Sequence, residues 1–281
     1  MTLHTQKERA VHLRALHHGP SPLVLPNAWD VVSARILEQA GFQAVATTSS
    51  GVAAASGYPD GQRISRDMLV ELVARITRVI TYPLSVDLEA GYGNTLEEVL
   101  AVVRAIIDAG AVGINIEDST RQQARSLVDM SFQVKLLAAI RELASSLDMP
   151  LVINARTDVF LLAIGDPSTR FEEAVRRANA YRQAGADCLF LIGVSDTDTI
   201  AKLVQAIDGP INIVAGPTTP TIPELARLGV ARISFASGLM RATLAHLRTI
   251  ARELLEYGTY TSMAEIISSA EFGQFFEDKT Q

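Results

Sequence analysis

Two hydrophobic periods alternate along this chain. Short runs rich in Val, Ile and Leu recur as LVLPN (23–27), AVATTS (44–49), LSVDLE (84–89), VGINIE (112–117), LVINAR (151–156), CLFLIG (188–193), INIVAG (211–216) and RISFAS (232–237). Several alternate apolar with polar positions, the period of a strand whose two faces meet different surroundings. Between them lie stretches with apolar residues three and four apart, among them DVVSARILEQAG, TLEEVLAVVRAIIDAG and RFEEAVRRANAYRQAG, the period of amphipathic helices. Asp30 stands where an N-cap belongs, and Gly41, Gly110, Gly185 and Gly229 stand where left-handed C-caps belong. Strict alternation of strand and helix predicts an α/β fold with a parallel sheet, and eight such units in 281 residues fit a (β/α)8 TIM barrel better than two doubly wound halves. The expected organisation is one domain over 1–281, with residues 258–281 running past the eighth unit as a C-terminal extension. That extension reads either as a helix packed on a neighbouring subunit or as a frayed terminus.

In a barrel, the C-terminal ends of the strands and the loops after them build the active site. Alternation places Asp87 and Glu89 on one face, opposite Val86 and Leu88. It does the same for Asn115 with Glu117, and for Asn154 with Arg156. The second run ends in Thr47, Thr48, Ser49, Ser50 and Gly51. Carboxylates and hydroxyls in this number suit Mg²⁺, which takes oxygen ligands, where Zn²⁺ would favour His or Cys. Arg156 offers a planar fork for a substrate carboxylate. The competing account is a buried ion-pair network that holds the barrel mouth together, but charge at successive strand ends favours function. Asp60, in SGYPDGQRIS, is both a candidate acid or base and a natural turn residue, since Pro-Asp-Gly is a turn sequence.

Absences narrow the chemistry. Lysine occurs only at 7, 135, 202 and 279, away from the strand ends, which disfavours a Schiff base. Histidine occurs at 4, 12, 17, 18 and 246, before the first strand or in the last helix, so a histidine base at the mouth is not expected. Cys188 opens a strand and reads as a small core residue. GYGNTL lacks the third glycine of a dinucleotide fingerprint. A net charge of −6, with 25 scattered basic residues, leaves no footprint for nucleic acid. No apolar run approaches a membrane span, the first residues make a poor secretory signal, and a single cysteine excludes an internal disulfide. A cytoplasmic protein is expected.

Taken together, TTSSGVAAASGYPDG, VDLEAGYGN, GINIEDS and NARTDVF, in this order and at these strand positions, resemble the isocitrate lyase and phosphoenolpyruvate mutase superfamily from about Val24 to Arg241. The resemblance implies a (β/α)8 barrel, a homo-oligomer (dimer or tetramer) that exchanges its eighth helix, and Mg²⁺ held by strand-end carboxylates. It implies small 2-oxo or 2-hydroxy acids as substrates. Carried over by position, Asp87, Glu89 and Glu117 are the expected metal residues, with Asp87 also near the substrate. Ser49, Ser50, Gly51 and Arg156 are expected to hold the substrate, and Asp60 to lie near the reacting bond. Where relatives carry a Lys-X-Cys-Gly-His loop, this chain reads DSTRQQARSLVDM, without Lys, Cys or His. The leading expectation is therefore a Mg²⁺-dependent lyase of oxaloacetate decarboxylase type. P–C bond chemistry on a phosphonopyruvate-like substrate and a non-catalytic metabolite-binding barrel are the alternatives. Arg121 and Arg125 are weaker candidates for contact with a distal carboxylate. A phosphate site at AGPTTPT and FASGLMR is outweighed by Ser237 capping the last helix.

Overall fold

A computed structural model describes residues 5–119 and 126–276. Its strands are β1 (Leu23–Val24), β2 (Asn27–Ala28), β3 (Val45–Thr47), β4 (Leu84–Asp87), β5 (Gly113–Glu117), β6 (Val152–Thr157), β7 (Cys188–Leu191), β8 (Ile211–Val214) and β9 (Arg232–Ser234). The helices are α1 (Gln6–Leu16), α2 (Val31–Gln39), α3 (Ser49–Ala55), α4 (Arg66–Val79), α5 (Leu96–Asp108), α6 (Met130–Ser146), α7 (Arg170–Gln183), α8 (Thr197–Ala206), α9 (Ile222–Arg227), α10 (Gly238–Glu256) and α11 (Ser269–Gln274). All pairings are parallel, and the strands follow the order β1-β9-β8-β7-β6-β5-β4-β3-β2 in one curled sheet.

The run expected as one strand at 23–27 is two, because it changes neighbours. Leu25 N–H donates to Ile233 on one side (2.8 Å), and the carbonyl of Pro26 accepts from Ala46 N–H on the other (2.9 Å). Residues Leu23–Ala28 therefore border both ends of the sheet. Elsewhere the expected elements form where the periods put them. Asp30 caps α2 by accepting from Ser33 N–H at 2.7 Å, and Gly41 and Gly110 follow their helices with φ of +96° and +99°.

The two strand faces meet different surroundings. Val86, Ile114, Ile116, Ile153, Leu189, Leu191, Ile213 and Ile233 are buried against Val73, Ile76, Val103, Ile106, Leu137, Ile140, Ile200 and Leu203 of the helices. Each such side chain contributes about 1.5–3 kcal/mol by leaving water. A smaller cluster of Ala10, Leu13, Leu23, Leu25, Ala44, Ala46, Val112 and Val152 seats α1 across the N-terminal ends of the strands. Past α10 the chain is held rather than frayed through residue 276. Phe275 is buried, and its carbonyl accepts from Arg35 Nε at 2.9 Å.

His17, just beyond α1, is buried and donates from Nδ1 to the carbonyl of Leu13 at 2.8 Å. Burial, and then the charge of Arg232, pull its pKa down to about 4. A histidine held neutral in the folded state but protonated when unfolded stabilises above its unfolded pKa, and that contribution is lost as pH falls. Unfolding measured from pH 7 to 4 should show up to about 3 kcal/mol of stability lost through this group below pH 6.5. His17→Asn, which keeps a donor for Leu13, should flatten that part of the curve.

Candidate functional site

A cavity of about 220 Å³ opens at the C-terminal ends of the strands, with Asp60, Asp87, Asn115, Asn154, Arg156, Phe190, Arg232, Ser49 and Ser50 among its walls. These come from successive strands because residues of one parity on β4, β5 and β6 share a face. The register sets Asp87 opposite Asn115, and Asn115 opposite Asn154. A ladder of side-chain amides results. Asn154 Nδ2 donates to Asn115 Oδ1 (2.9 Å), and Asn115 Nδ2 donates to Asp87 Oδ1 (2.9 Å). Asp87 Oδ2 accepts from Ser49 N–H at 3.0 Å, which joins the carboxylate to the first turn of α3.

Glu89 departs from the alternation expected of it. The strand ends at Asp87, and Glu89 takes a φ of +50°. This turns its buried carboxylate toward Gln62 N–H (3.0 Å) and Tyr92 Oη (2.9 Å). Glu117 is buried on β5, 2.9 Å from Arg156 Nη1, and accepts from Ser119 Oγ at 2.5 Å. Of the three expected metal carboxylates, Asp87 lines the cavity, Glu117 reaches it only through Arg156, and Glu89 is turned toward Gln62 and Tyr92. No group of three or more His, Cys, Asp or Glu side chains converges in metal-binding fashion among the described residues.

Arg156 lines the cavity with its guanidinium held between carboxylates. Glu117 lies on one side. Asp158, which the sequence reading overlooked, accepts from Nε at 2.5 Å and Nη2 at 3.0 Å on the other. Phe190 lies beneath, 5.8 Å from ring centre to Cζ. Burial pushes Glu117 up to about 8, against the opposing pull of Arg156, while Asp158 and Asp87 push it further. Asp158 is raised by burial too, with Asp118 and Asp87 adding to it against the pull of Arg156. Around Arg156 two buried carboxyl groups thus face one guanidinium in contact, a local surplus that a proton or a cation would relieve.

The remaining expectations divide. Ser49 and Ser50 line the cavity, whereas Gly51 does not. A Cβ on Gly51 would come within 2.6 Å of Thr48 Cγ2 and 3.0 Å of Trp29 Cβ, so packing alone requires glycine there. Asp60 stands exposed at the rim, accepting from Gly61 N–H at 2.9 Å. Ser237 occupies the N-cap position of α10 without a side-chain capping bond and lines the cavity instead. Cys188 is buried, its thiol pushed up to about 12 by burial. Arg121 and Arg125 lie outside the described residues.

Beneath the mouth, Asp118 is fully buried and gathers four donors. Thr157 Oγ1 (2.8 Å), Asp158 N–H (2.9 Å), Tyr181 Oη (2.7 Å) and Arg177 Nη1 (3.1 Å) all reach it. It fixes the backbone from which Asp158 reaches Arg156. Asp118→Ala should cost about 3–5 kcal/mol in urea unfolding, because it removes the buried half of Arg177's pairing, leaving only Glu173, and leaves three other donors unmet. Tyr181→Phe, which removes one donor and leaves the charge pair intact, should cost far less.

The phosphoenolpyruvate phosphomutase family model matches residues 13–255. Phosphoenolpyruvate phosphomutase of Streptomyces hygroscopicus is 30% identical over 263 residues, 89% of this chain and 81% of the relative. Oxaloacetate decarboxylase of Pseudomonas entomophila is 33% identical over 214 residues, 73% of this chain and 70% of the relative. Among solved structures, a Burkholderia cenocepacia protein described as a candidate lyase or mutase superposes with a TM-score of 0.89 at 35% identity, covering 96% of this chain and 97% of that one.

Proposed function

The chain belongs to the phosphoenolpyruvate phosphomutase family, within the isocitrate lyase and phosphoenolpyruvate mutase superfamily of lyases and mutases, and on that footing we propose a specific activity. It is a Mg²⁺-dependent lyase that cleaves a C–C bond of a small 2-oxo or 2-hydroxy carboxylate through a pyruvate-type enolate, as oxaloacetate decarboxylation requires. The observation that carries this reading is the meeting of Asp87, Arg156, Ser49 and Ser50 in one cavity. The sheet is read as a closed (β/α)8 barrel forming one domain over 1–281, since Leu23–Ala28 pairs with both β9 and β3.

Asp87, Glu89 and Glu117 are the residues that would hold the metal. All three offer oxygen, the donor Mg²⁺ takes, and Mg²⁺ is ordinarily bound through one or two carboxylates with water and substrate completing its shell. Bound there, it would supply Lewis-acid charge for the oxygen at C2. Arg156, held rigid by Glu117 and Asp158, presents its remaining edge to a substrate carboxylate. Ser49, Ser50 and Gly51 form the first turn of α3, whose Thr48 N-cap makes no side-chain capping bond; the Ser49 amide is taken by Asp87, which leaves those of Ser50 and Gly51 to hold substrate oxygens. Asp60, exposed at the rim of the cavity, is read as the residue that exchanges a proton near the reacting bond.

P–C bond chemistry on a phosphonopyruvate-like substrate is the second reading, favoured by the Streptomyces relative. A solved phosphonopyruvate hydrolase, crystallised with oxalate and Mg²⁺, superposes with a TM-score of 0.84 at 25% identity over 95% of this chain and 94% of that one. Cytoplasmic location fits the single buried Cys188. No helix among the described residues is long and apolar enough to cross a membrane.

The deciding assay offers oxaloacetate, longer 2-oxo diacids, isocitrates and phosphonopyruvate with and without Mg²⁺, and follows pyruvate, glyoxylate and phosphate. Mg²⁺-dependent pyruvate from oxaloacetate is expected, and phosphate from phosphonopyruvate alone would install the second reading. Asp87→Ala should lower kcat by about 10²-fold or more and weaken Mg²⁺ binding at least about tenfold. Retained turnover in that variant would overturn the assignment.

Helix α10 buries only Met240 and Glu253, and leaves Leu244, Leu247, Leu254 and Leu255 exposed. We read it as the helix exchanged between copies in a dimer or tetramer. Leu247→Asp with Leu255→Asp should yield monomers in sedimentation velocity, and an unchanged sedimentation coefficient would dismiss the exchange.

A further inference from the structure

The inner end of the cavity holds a guanidinium with no carboxylate in contact with it among the described residues. Arg232 opens β9, lines the cavity and is 2% exposed. Its Nε and Nη1 have no hydrogen-bond partner among the described residues, and no carboxylate pairs with it there. Arg9 Nε, near the start of the chain, is also buried and unpartnered, but the other arginines that reach into the sheet or its helical layer are matched. Arg35 pairs with Glu38, Arg156 with Glu117 and Asp158, and Arg177 with Asp118 and Glu173.

Its neighbours share the deficit. Asn212 accepts from Ser234 Oγ at 3.1 Å, but its Nδ2 donates to nothing, and Ser85 Oγ is also unpartnered. Asp87 acts on Arg232 through its charge, yet its oxygens already accept from Ser49, Asn115 and Glu89. Cys188, a thiol at neutral pH, and His17, neutral there, supply no negative charge. Water would satisfy these donors singly, whereas a carboxylate accepts up to four hydrogen bonds at once and puts a negative charge in contact with the guanidinium. The cavity, at about 220 Å³, lies below the roughly 300–1,000 Å³ of sites for drug-sized ligands, and so suits a small acid.

We propose that Arg232, with Asn212 and Ser85, forms an anion subsite at the inner end of the cavity that receives the second carboxylate of a small dicarboxylic acid. The inference deepens the proposed function and rests on its reading that Asp87 and Arg156 take the 2-oxo or 2-hydroxy end of the ligand. The subsite makes the enzyme selective for diacids over monoacids with the same head.

Calorimetric titration of the full chain with malate and with lactate, in Mg²⁺, isolates the second carboxylate, because both ligands share the 2-hydroxy acid head. The wild-type protein should bind malate about tenfold or more tightly than lactate, the factor carried by one charged hydrogen bond. Arg232→Met should abolish that preference and leave lactate binding unchanged, while Arg232→Lys, which keeps the charge, should retain part of it. Equal wild-type affinities, a preference that survives Arg232→Met, or an equal loss for both ligands would each overturn the subsite. Should Arg232→Met fail to fold, the wild-type ratio and the Lys variant still decide. If lactate fails to bind while malate binds through Arg232, the subsite stands and the reading of the mouth falls.

Discussion

The site is organised by the need to neutralise charge inside a curled parallel sheet. Arg156 lies between Glu117 and Asp158, and Asp87 contributes further negative potential to both carboxyls. Coulomb energies at these separations are several kcal/mol even at an effective dielectric near 20, so the surrounding polar groups are placed by this balance. The Asn154–Asn115–Asp87 ladder directs amide hydrogens at one carboxylate. Asp118 holds the backbone of Asp158 while pairing with Arg177 on the helical side. The arginine is therefore a fixed donor rather than a mobile one, which is what recognition of a planar carboxylate requires.

Stability and chemistry are assigned to opposite faces of the same strands. In many such sheets branched apolar side chains fill the interior. Here they do so only near the N-terminal ends, where Leu25, Ala44, Val112 and Val152 meet Leu13 of α1. Above that layer the interior turns to Ser85, Asn115, Asn154, Asn212 and Arg232. The outward Val, Ile and Leu residues sealed by the helices supply the burial that makes a polar interior tolerable. Two layers with separate duties also explain why Ile114 and Asn115, adjacent in sequence, belong to different problems.

Period-two alternation made much of this legible. It placed Asp87, Asn115, Glu117, Asn154 and Arg156 on the inner face, and the structure has them there. It failed at Glu89 because a left-handed φ of +50° ends the strand register one residue earlier, a conformation that a non-glycine residue rarely announces. Asp158 escaped notice because its role depends on Asp118 and α7 fixing the turn after β6, a tertiary fact. Arg232 left a signal, a charged residue two positions before Ser234 on a strand whose other face is Ile233, but nothing local distinguishes it from an exposed edge residue. The first strand divides between two neighbours because the sheet curls, which no single segment encodes.

The composition of the cavity bears on which bond breaks. Apart from Asp87 and Asp60, its walls offer no carboxylate, and they offer no histidine, lysine or cysteine among the described residues. Cleaving a C–C bond to a pyruvate-type enolate leaves a carbanion at C3 that needs a proton. On the proposed reading, Asp60 at the exposed rim would pass one from solvent. A phosphoryl rearrangement makes the opposite demand, since the departing group must be kept from water until it is recaptured. A rim that admits water therefore favours irreversible loss of a small neutral fragment over an internal transfer.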